Sequence, residues 1–327
     1  NPAPRSAFLP RTTAGRLCPA RATKELESAL STRALSPERW RTLMSFLSEQ
    51  LGNGQFVVTA EIAPPKGTDL SGALAAVEKL TGITAVNVTD NQGANMRLSS
   101  LALAARLQQQ GTETVLQLTC RDRNRMALQS DLLGAASFGI ENLLLLSGDH
   151  SKFGDHPDSR PVFDLDSVQL LDMAAGLMAG TDMAGKSLDG VPEFFPGAAV
   201  NPAAEPFELM FQKVAKKVDS GARFFQTQSV FDCETLERFM LAMQPLQVPV
   251  IAGVLLIRSS RMARFLNDNI PGVQVPETLV QRLASAEDPL AEGVEIAREA
   301  VAWARDHCQG VHLMTLGHED KIPAILA

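Results

Sequence analysis

Tyrosine is absent from this 327-residue chain and tryptophan occurs only twice. No phenol is therefore available to any site, as acid or as ligand. Cysteine is scarce too: Cys18, Cys120, Cys233 and Cys308 stand far apart, with no CxxC and no Cys/His ligand spacing. That pattern signals neither a metal site nor a disulfide framework, and it fits a reducing cytoplasm. Basic charge is not in excess, since 30 Lys and Arg against 37 Asp and Glu leave a net charge of −7. Nucleic acid and anionic membrane surfaces are accordingly not expected partners. A long apolar run is missing as well. VPVIAGVLLI at 248–257 contains Pro249 and Gly253 and falls well short of the roughly 20 residues of a membrane span. It reads as a buried strand and its exit.

What is present is globular: 45% hydrophobic and 20% charged residues, enough for one large domain or two ordinary ones. The opening stretch NPAPRSAFLPRTTAGRLCPARAT carries arginines, no acid, and prolines that break any helix before Ala20. It reads as a transit-like leader or a start-site artefact, or more simply as a flexible arm without a catalytic part. Helical segments follow around ATKELESAL and SPERWRTLMSFLSEQL, where Ser36 and Glu38 resemble a helix start.

From Phe56 a repeated unit takes over. Short apolar stretches at 55–62, 84–89, 113–119, 141–146, 193–200, 222–227, 248–254 and 310–316 alternate with amphipathic ones such as SGALAAVEKL, SLALAARLQQQG and PFELMFQKVAKKVDSG. Near-continuous apolar strands separated by helices imply a parallel sheet covered on its outside. Eight units predict an α/β chain folded as a (β/α)8 TIM barrel with an N-terminal helical extension over 1–54 and the barrel over 55–327. An open doubly wound sheet is the alternative, and the GxGxxG that would mark a dinucleotide fold of that kind is missing.

In a closed parallel barrel, functional side chains collect where strands end. LLLLSGDH at 143–150 shows the pattern, a greasy run stopping on a small polar turn and a carboxylate. The same happens at Glu61, at Thr89 and Asp90, at Thr119 and Arg121, at Asn201, at Thr227 and Gln228, and at Thr315. A Thr or Asn at a strand end also serves as a cap or turn residue, and Asp149 or Arg121 as a loop or surface partner. Glu61 stands apart, a lone carboxylate between VVTA and IAPP where unpaired charge is costly.

The ordered motifs TAEIAPPKG, VNVTDNQ, QLTCRDRN, LLLLSGD, KKVDSGARFFQTQSVFD and GVHLMTLG resemble the methylenetetrahydrofolate reductase family from about Phe56 to the C-terminus. The resemblance implies a flavin-dependent TIM-barrel oxidoreductase of one-carbon metabolism. Its members reduce 5,10-methylenetetrahydrofolate to 5-methyltetrahydrofolate with FAD and NAD(P)H. It implies Glu61 as the catalytic acid and Asp149 as a catalytic carboxylate shared between flavin and pterin. Thr89, Thr119, Gly148, Asp149 and Lys217 are then expected at the cofactor, with Lys217 at its diphosphate, and Gln228 with Asp149 at the substrate.

Three departures bear on the cofactor. Ser147 stands where the family commonly has Arg, Gln117 where it has His, and AAVNP where it has a tyrosine after the fifth strand. FMN, or no flavin, therefore stands beside FAD. Two alternative functions follow: a flavin-bearing subunit fed by an iron–sulfur partner, and a flavin-free pterin-binding barrel. Nothing in the sequence separates NADH from NADPH or a monomer from a homo-oligomer. HSKFGDHPDSRPVFDLDS at 150–167 reads as a solvated loop or as a lid or docking surface. Its His150 and His156 are assigned no metal. The chain ends soon after GVHLMTLG, so no C-terminal regulatory module is expected.

Overall fold

The computed structural model of the chain describes residues 45–270 and 272–327. The expected arm and the helical segments up to Met44, with Ser36 and Glu38, lie outside the described residues. Eight strands form in the order expected: β1 (Val57–Ile62), β2 (Ala85–Val88), β3 (Thr114–Thr119), β4 (Asn142–Leu146), β5 (Phe195–Val200), β6 (Phe224–Ser229), β7 (Val250–Leu255) and β8 (Gly310–Met314). Every neighbouring pair is parallel, and β8 closes on β1 with Thr59 opposite His312. The connecting helices include α3 (Ser100–Gln109) and α6 (Phe207–Asp219), which fall on SLALAARLQQQG and PFELMFQKVAKKVDSG, and also α4 (Arg125–Ser137), α5 (Ser167–Met178) and α7 (Cys233–Met243). α1 (Phe46–Gly52) precedes β1, and α2 (Ser71–Glu78) links β1 to β2. α8 (Ser260–Asn269), α9 (Glu277–Ser285) and α10 (Pro289–His307) follow β7, and α11 (Ile322–Leu326) ends the chain. Among the described residues no helix is long and apolar enough to cross a membrane.

Two cores result, because strand side chains alternate between the barrel interior and the helices. Leu116, Leu118, Leu143 and Leu145 face the helical layer, in one large buried cluster with Leu103, Leu128 and Leu170. Val57, Ala85, Val115, Leu144, Phe195, Phe224 and Ile251 meet inside the barrel, together with Leu47 and Leu51 of α1. The helix thus plugs the N-terminal end of the barrel. It is held by Ser45, which caps it through Ser48 N–H and donates to Asn142 Oδ1 at 2.6 Å. Phe195 and Phe224 stack at 5.1 Å in this layer. Gly197 makes room for them, since a Cβ there would lie 2.2 Å from the Phe224 ring.

Candidate active site

Two residues further along β1, β2, β3, β6 and β8, the barrel interior turns from apolar to polar. Thr59, Asn87, Gln117, Gln226 and His312 are all buried. Asn87 donates to Gln226 Oε1 at 2.8 Å, a bond between β2 and β6 that spans the interior. His312 Nδ1 lies 2.9 Å from Thr59 Oγ1. One step higher, Glu61 Oε2 stands 3.6 Å from His312 Nε2, with the two side chains 8% and 0% exposed. The other Glu61 oxygen accepts from Gln92 Nε2 at 2.9 Å. Among the described residues, three buried polar atoms in this region find no hydrogen-bond partner: Asn87 Oδ1, Thr89 Oγ1 and His312 Nε2. Buried polar atoms are normally paired, so this cluster is suited to complete its bonding with a bound molecule or water.

The loops beyond β1 to β4 are tied into a rim. Arg121, 2% exposed, forks onto Asp122 through Nε at 2.8 Å and Nη2 at 2.7 Å, and reaches the carbonyls of Asn91 and Asp149 at 3.2 Å each. It is a buried girder and not a surface pair. Burial alone would raise the Asp122 carboxyl, but hydrogen bonds from Arg121 and Asn91 and the nearby guanidinium charges outweigh it and hold it low. Asp90 is likewise structural, accepting from Thr119 N and Oγ1 and from both terminal nitrogens of Arg123. The long loop after β4 is pinned across the same rim. Asp155 bonds Lys66 beyond β1 and Met96 N–H beyond β2. At Gly154 an added Cβ would lie 1.8 Å from the carbonyl oxygen of Ala94.

The residues singled out from sequence fall into two groups. Glu61, Thr89, Thr119, Gly148, Asp149 and Gln228 stand at the C-terminal ends of their strands, and the Arg121 bonds place the Asp149 turn at the same end as Glu61. Asp149 and Gln228 are exposed, and among the described residues their side chains have no hydrogen-bond partner. Gly148, at φ +86, has the Thr119 Cβ 3.0 Å from where its own would lie, so its turn requires glycine. Lys217 sits apart, on α6 between the helical layer and the sheet, with its ammonium donating to the Ala199 carbonyl at 2.7 Å. Burial, aided by Lys213 and opposed by Asp166, lowers its pKa to about 8. Thr227 and Thr315 serve their own loops: Thr227 Oγ1 bonds Gln228 O and Gly253 N–H, and Thr315 faces Glu319. Sequence reasoning missed His312. It is hidden in an apolar strand, and only its register opposite Thr59 brings it to Glu61.

A family model described as methylenetetrahydrofolate reductase matches residues 47–327. The chain belongs to the methylenetetrahydrofolate reductase family. Similar proteins include a probable methylenetetrahydrofolate reductase (NADPH) of Caenorhabditis elegans, 23% identical over 90% of this chain and 45% of that protein. A methylenetetrahydrofolate reductase (NADH) 1 of Zea mays is 24% identical over 85% of the chain and 49% of that protein. The 5,10-methylenetetrahydrofolate reductase of Escherichia coli K12 is 25% identical over 83% of the chain and 90% of that protein. The chain therefore spans about half the length of the first two relatives. Its departures from the reductase family pattern have local partners. Ser147 Oγ accepts from Ser167 N–H at the start of α5. Asn201 donates to Gly272 O and accepts from Ala203 N–H. Gln117 belongs to the polar interior layer.

Proposed function

We propose that this barrel mouth reduces 5,10-methylenetetrahydrofolate to 5-methyltetrahydrofolate, as an oxidoreductase acting on a CH–NH group with NAD(P)H as electron source and FAD as cofactor. The observation that carries the reading is the buried series Thr59, His312, Glu61 beside polar atoms that lack partners. The substrate holds its one-carbon unit as a methylene bridge between two nitrogens. Opening that bridge needs a proton on the departing nitrogen and leaves an iminium carbon that accepts hydride.

Glu61 is the proton donor in this reading. Thr59 Oγ1 lies 3.5 Å from Val311 O as well as 2.9 Å from His312 Nδ1. A hydroxyl that donates to the carbonyl accepts from Nδ1–H, which leaves Nε2 a lone pair facing Glu61. In that arrangement the ring edge faces and positions the Glu61 carboxyl, the group that gives up a proton in this reading. Asp149 and Gln228, both exposed at the rim, offer acceptors and a donor to the pterin edge.

The mouth fits a flavin in its donor set. Thr89 Oγ1 and Asn87 Oδ1 are buried without partners, and Thr119, Gly148 and Asp149 form the adjoining strand ends. These residues would hold the ring system, with Lys217 at the diphosphate through the ammonium protons its bond to Ala199 leaves free. When bound, the flavin supplies the hydride. The test is the visible spectrum of the purified chain, followed by NADH oxidation that depends on methylenetetrahydrofolate. A yellow protein that turns over supports the proposal. A folded, colourless protein that neither FAD nor FMN activates overturns it and favours the flavin-free barrel.

A further inference from the structure

On the outer helical layer, Cys233 and Glu237 stand one turn apart on α7 and His307 ends α10. Cys233 Sγ lies 3.5 Å from Glu237 Oε1, and His307 Nε2 lies 3.4 Å from the same oxygen. All three ligand atoms fall within 4.8 Å of one another. We propose that Cys233, Glu237 and His307 bind a borderline-soft divalent cation of the Zn2+ class, with a fourth position left to water or a small ligand.

The spacing carries the argument. Tetrahedral coordination with bonds of about 2.3 Å to sulfur and about 2.0 Å to oxygen and nitrogen sets sulfur and oxygen ~3.5 Å apart and nitrogen and oxygen ~3.3 Å apart. Both separations agree with those in the structure. Direct bonding accounts for them only weakly, because a thiol is a weak donor and 3.4 Å exceeds the usual length of an N–H···O bond. Thiolate, imidazole and carboxylate together favour Zn2+ or Co2+ over Mg2+ or Ca2+. Glu237, Asp232 and Asp306 set a negative field at Cys233, which favours a cation that displaces the thiol proton. Glu237 and His307 also line a cavity of about 650 Å³ with Asp306, Gln309, Met240 and Gln244, and the fourth position can open there. The expectation of no metal rested on spacing along the chain, where His307 is remote from Cys233. Only the packing of α10 against α7 joins them.

The test is titration of the chelator-stripped full chain with Co2+ alone. One equivalent should produce a thiolate-to-cobalt charge-transfer band that Zn2+ displaces and that Cys233→Ser abolishes. His307→Ala should weaken binding by on the order of 100-fold, at or beyond the upper end of losses seen when a residue that merely orients a ligand is removed. Glu237→Gln should weaken binding while keeping the band. Zn2+ should raise the melting temperature of the native chain and not of Cys233→Ser, which also shows that the variant folds. Absence of the band at one equivalent overturns the proposal. So does a band that survives Cys233→Ser, since the thiol would then be Cys18, Cys120 or Cys308.

Discussion

His312 Nε2 faces Glu61 Oε2 across 3.6 Å inside the barrel mouth, and among the described residues no other group bonds that nitrogen. The register that sets Thr59 opposite His312 fixes the ring from below, so its free edge points at the carboxyl. His312 acts through Glu61 as a positioning residue in the proposed reaction. His312→Asn should therefore lower kcat by roughly 10- to 100-fold with little change in KM, less than the 10²–10⁴ loss expected when a general acid itself is deleted. The alkaline limb of the pH–rate profile, where a proton donor is lost, should move, and His312→Gln should restore part of the rate. A variant in which KM rises and the profile stays put would show a merely structural histidine.

Lys217 gives a stability signature. Its folded pKa, about 8, lies below the 10.5 of the free side chain. Between those values the unfolded chain binds more protons, so stability rises with pH through that window. The cost of burying the cation is fully present below pH 8 and gone above about 10.5. Lys217→Met should be the more stable form near pH 7, and the native chain should close the gap by roughly 1–2 kcal/mol by pH 10, a shift discounted for partial exposure. Urea unfolding of both proteins at pH 7, 8.5 and 10 reads the difference. A gap that does not vary with pH contradicts the burial.

Asp155 pins the long loop. Hydrogen bonds from Lys66, His156 and Met96 N–H hold its carboxyl well below the usual carboxylate range. A depressed folded pKa contributes stability that is present above the unfolded value, near pH 4, and lost as the pH falls through the folded one. Asp155→Asn should speed amide exchange several-fold at Met96 and across 152–154 at pH 7, with little effect on global unfolding. Unchanged exchange there would mean that the Gly154 packing alone holds the loop.

The strands were legible because each is a short apolar run ended by turn residues, a pattern that survives without knowledge of the partners. Eight such runs sufficed for the barrel. The rim was legible in part: Glu61 shows as a lone charge in an apolar strand, and Asp149 as a carboxylate behind a glycine. His312 was not, because a histidine between Val311 and Leu313 looks like any core residue until the closing β8–β1 register is known. Lys217 was placed by motif alone, and a motif does not say that the ammonium meets the Ala199 carbonyl. The plug formed by α1 was equally hidden, since a seven-residue helix with only Phe46, Leu47 and Leu51 as large apolar residues carries no sign of which end of the barrel it enters.

That plug makes its own prediction. Leu47 is fully buried among Val57, Val115 and Phe224 inside the barrel. Leu47→Ala should cost about 2–5 kcal/mol of stability, as buried leucine truncations do. Chemical denaturation measures it. A loss within ~0.5 kcal/mol, the usual range for surface changes, would mean that the helix does not pack there in solution.

Glu61 separates the two halves of the proposed reaction. Transfer of reducing equivalents from nicotinamide needs no acid at the folate, whereas opening the methylene bridge does. Glu61→Gln keeps the shape of the side chain, and its amide can still accept from Gln92, but it removes the transferable proton. The first half should proceed at nearly the native rate, and the second should fall by about 10²-fold or more. Rapid mixing follows both, as bleaching of the visible band by NADH and its return on adding methylenetetrahydrofolate. Glu61 is not the acid if the band returns within a few-fold of the native rate. Its role is structural if both halves collapse together, because then the Gln92 and His312 contacts, and not the proton, are what the mouth has lost.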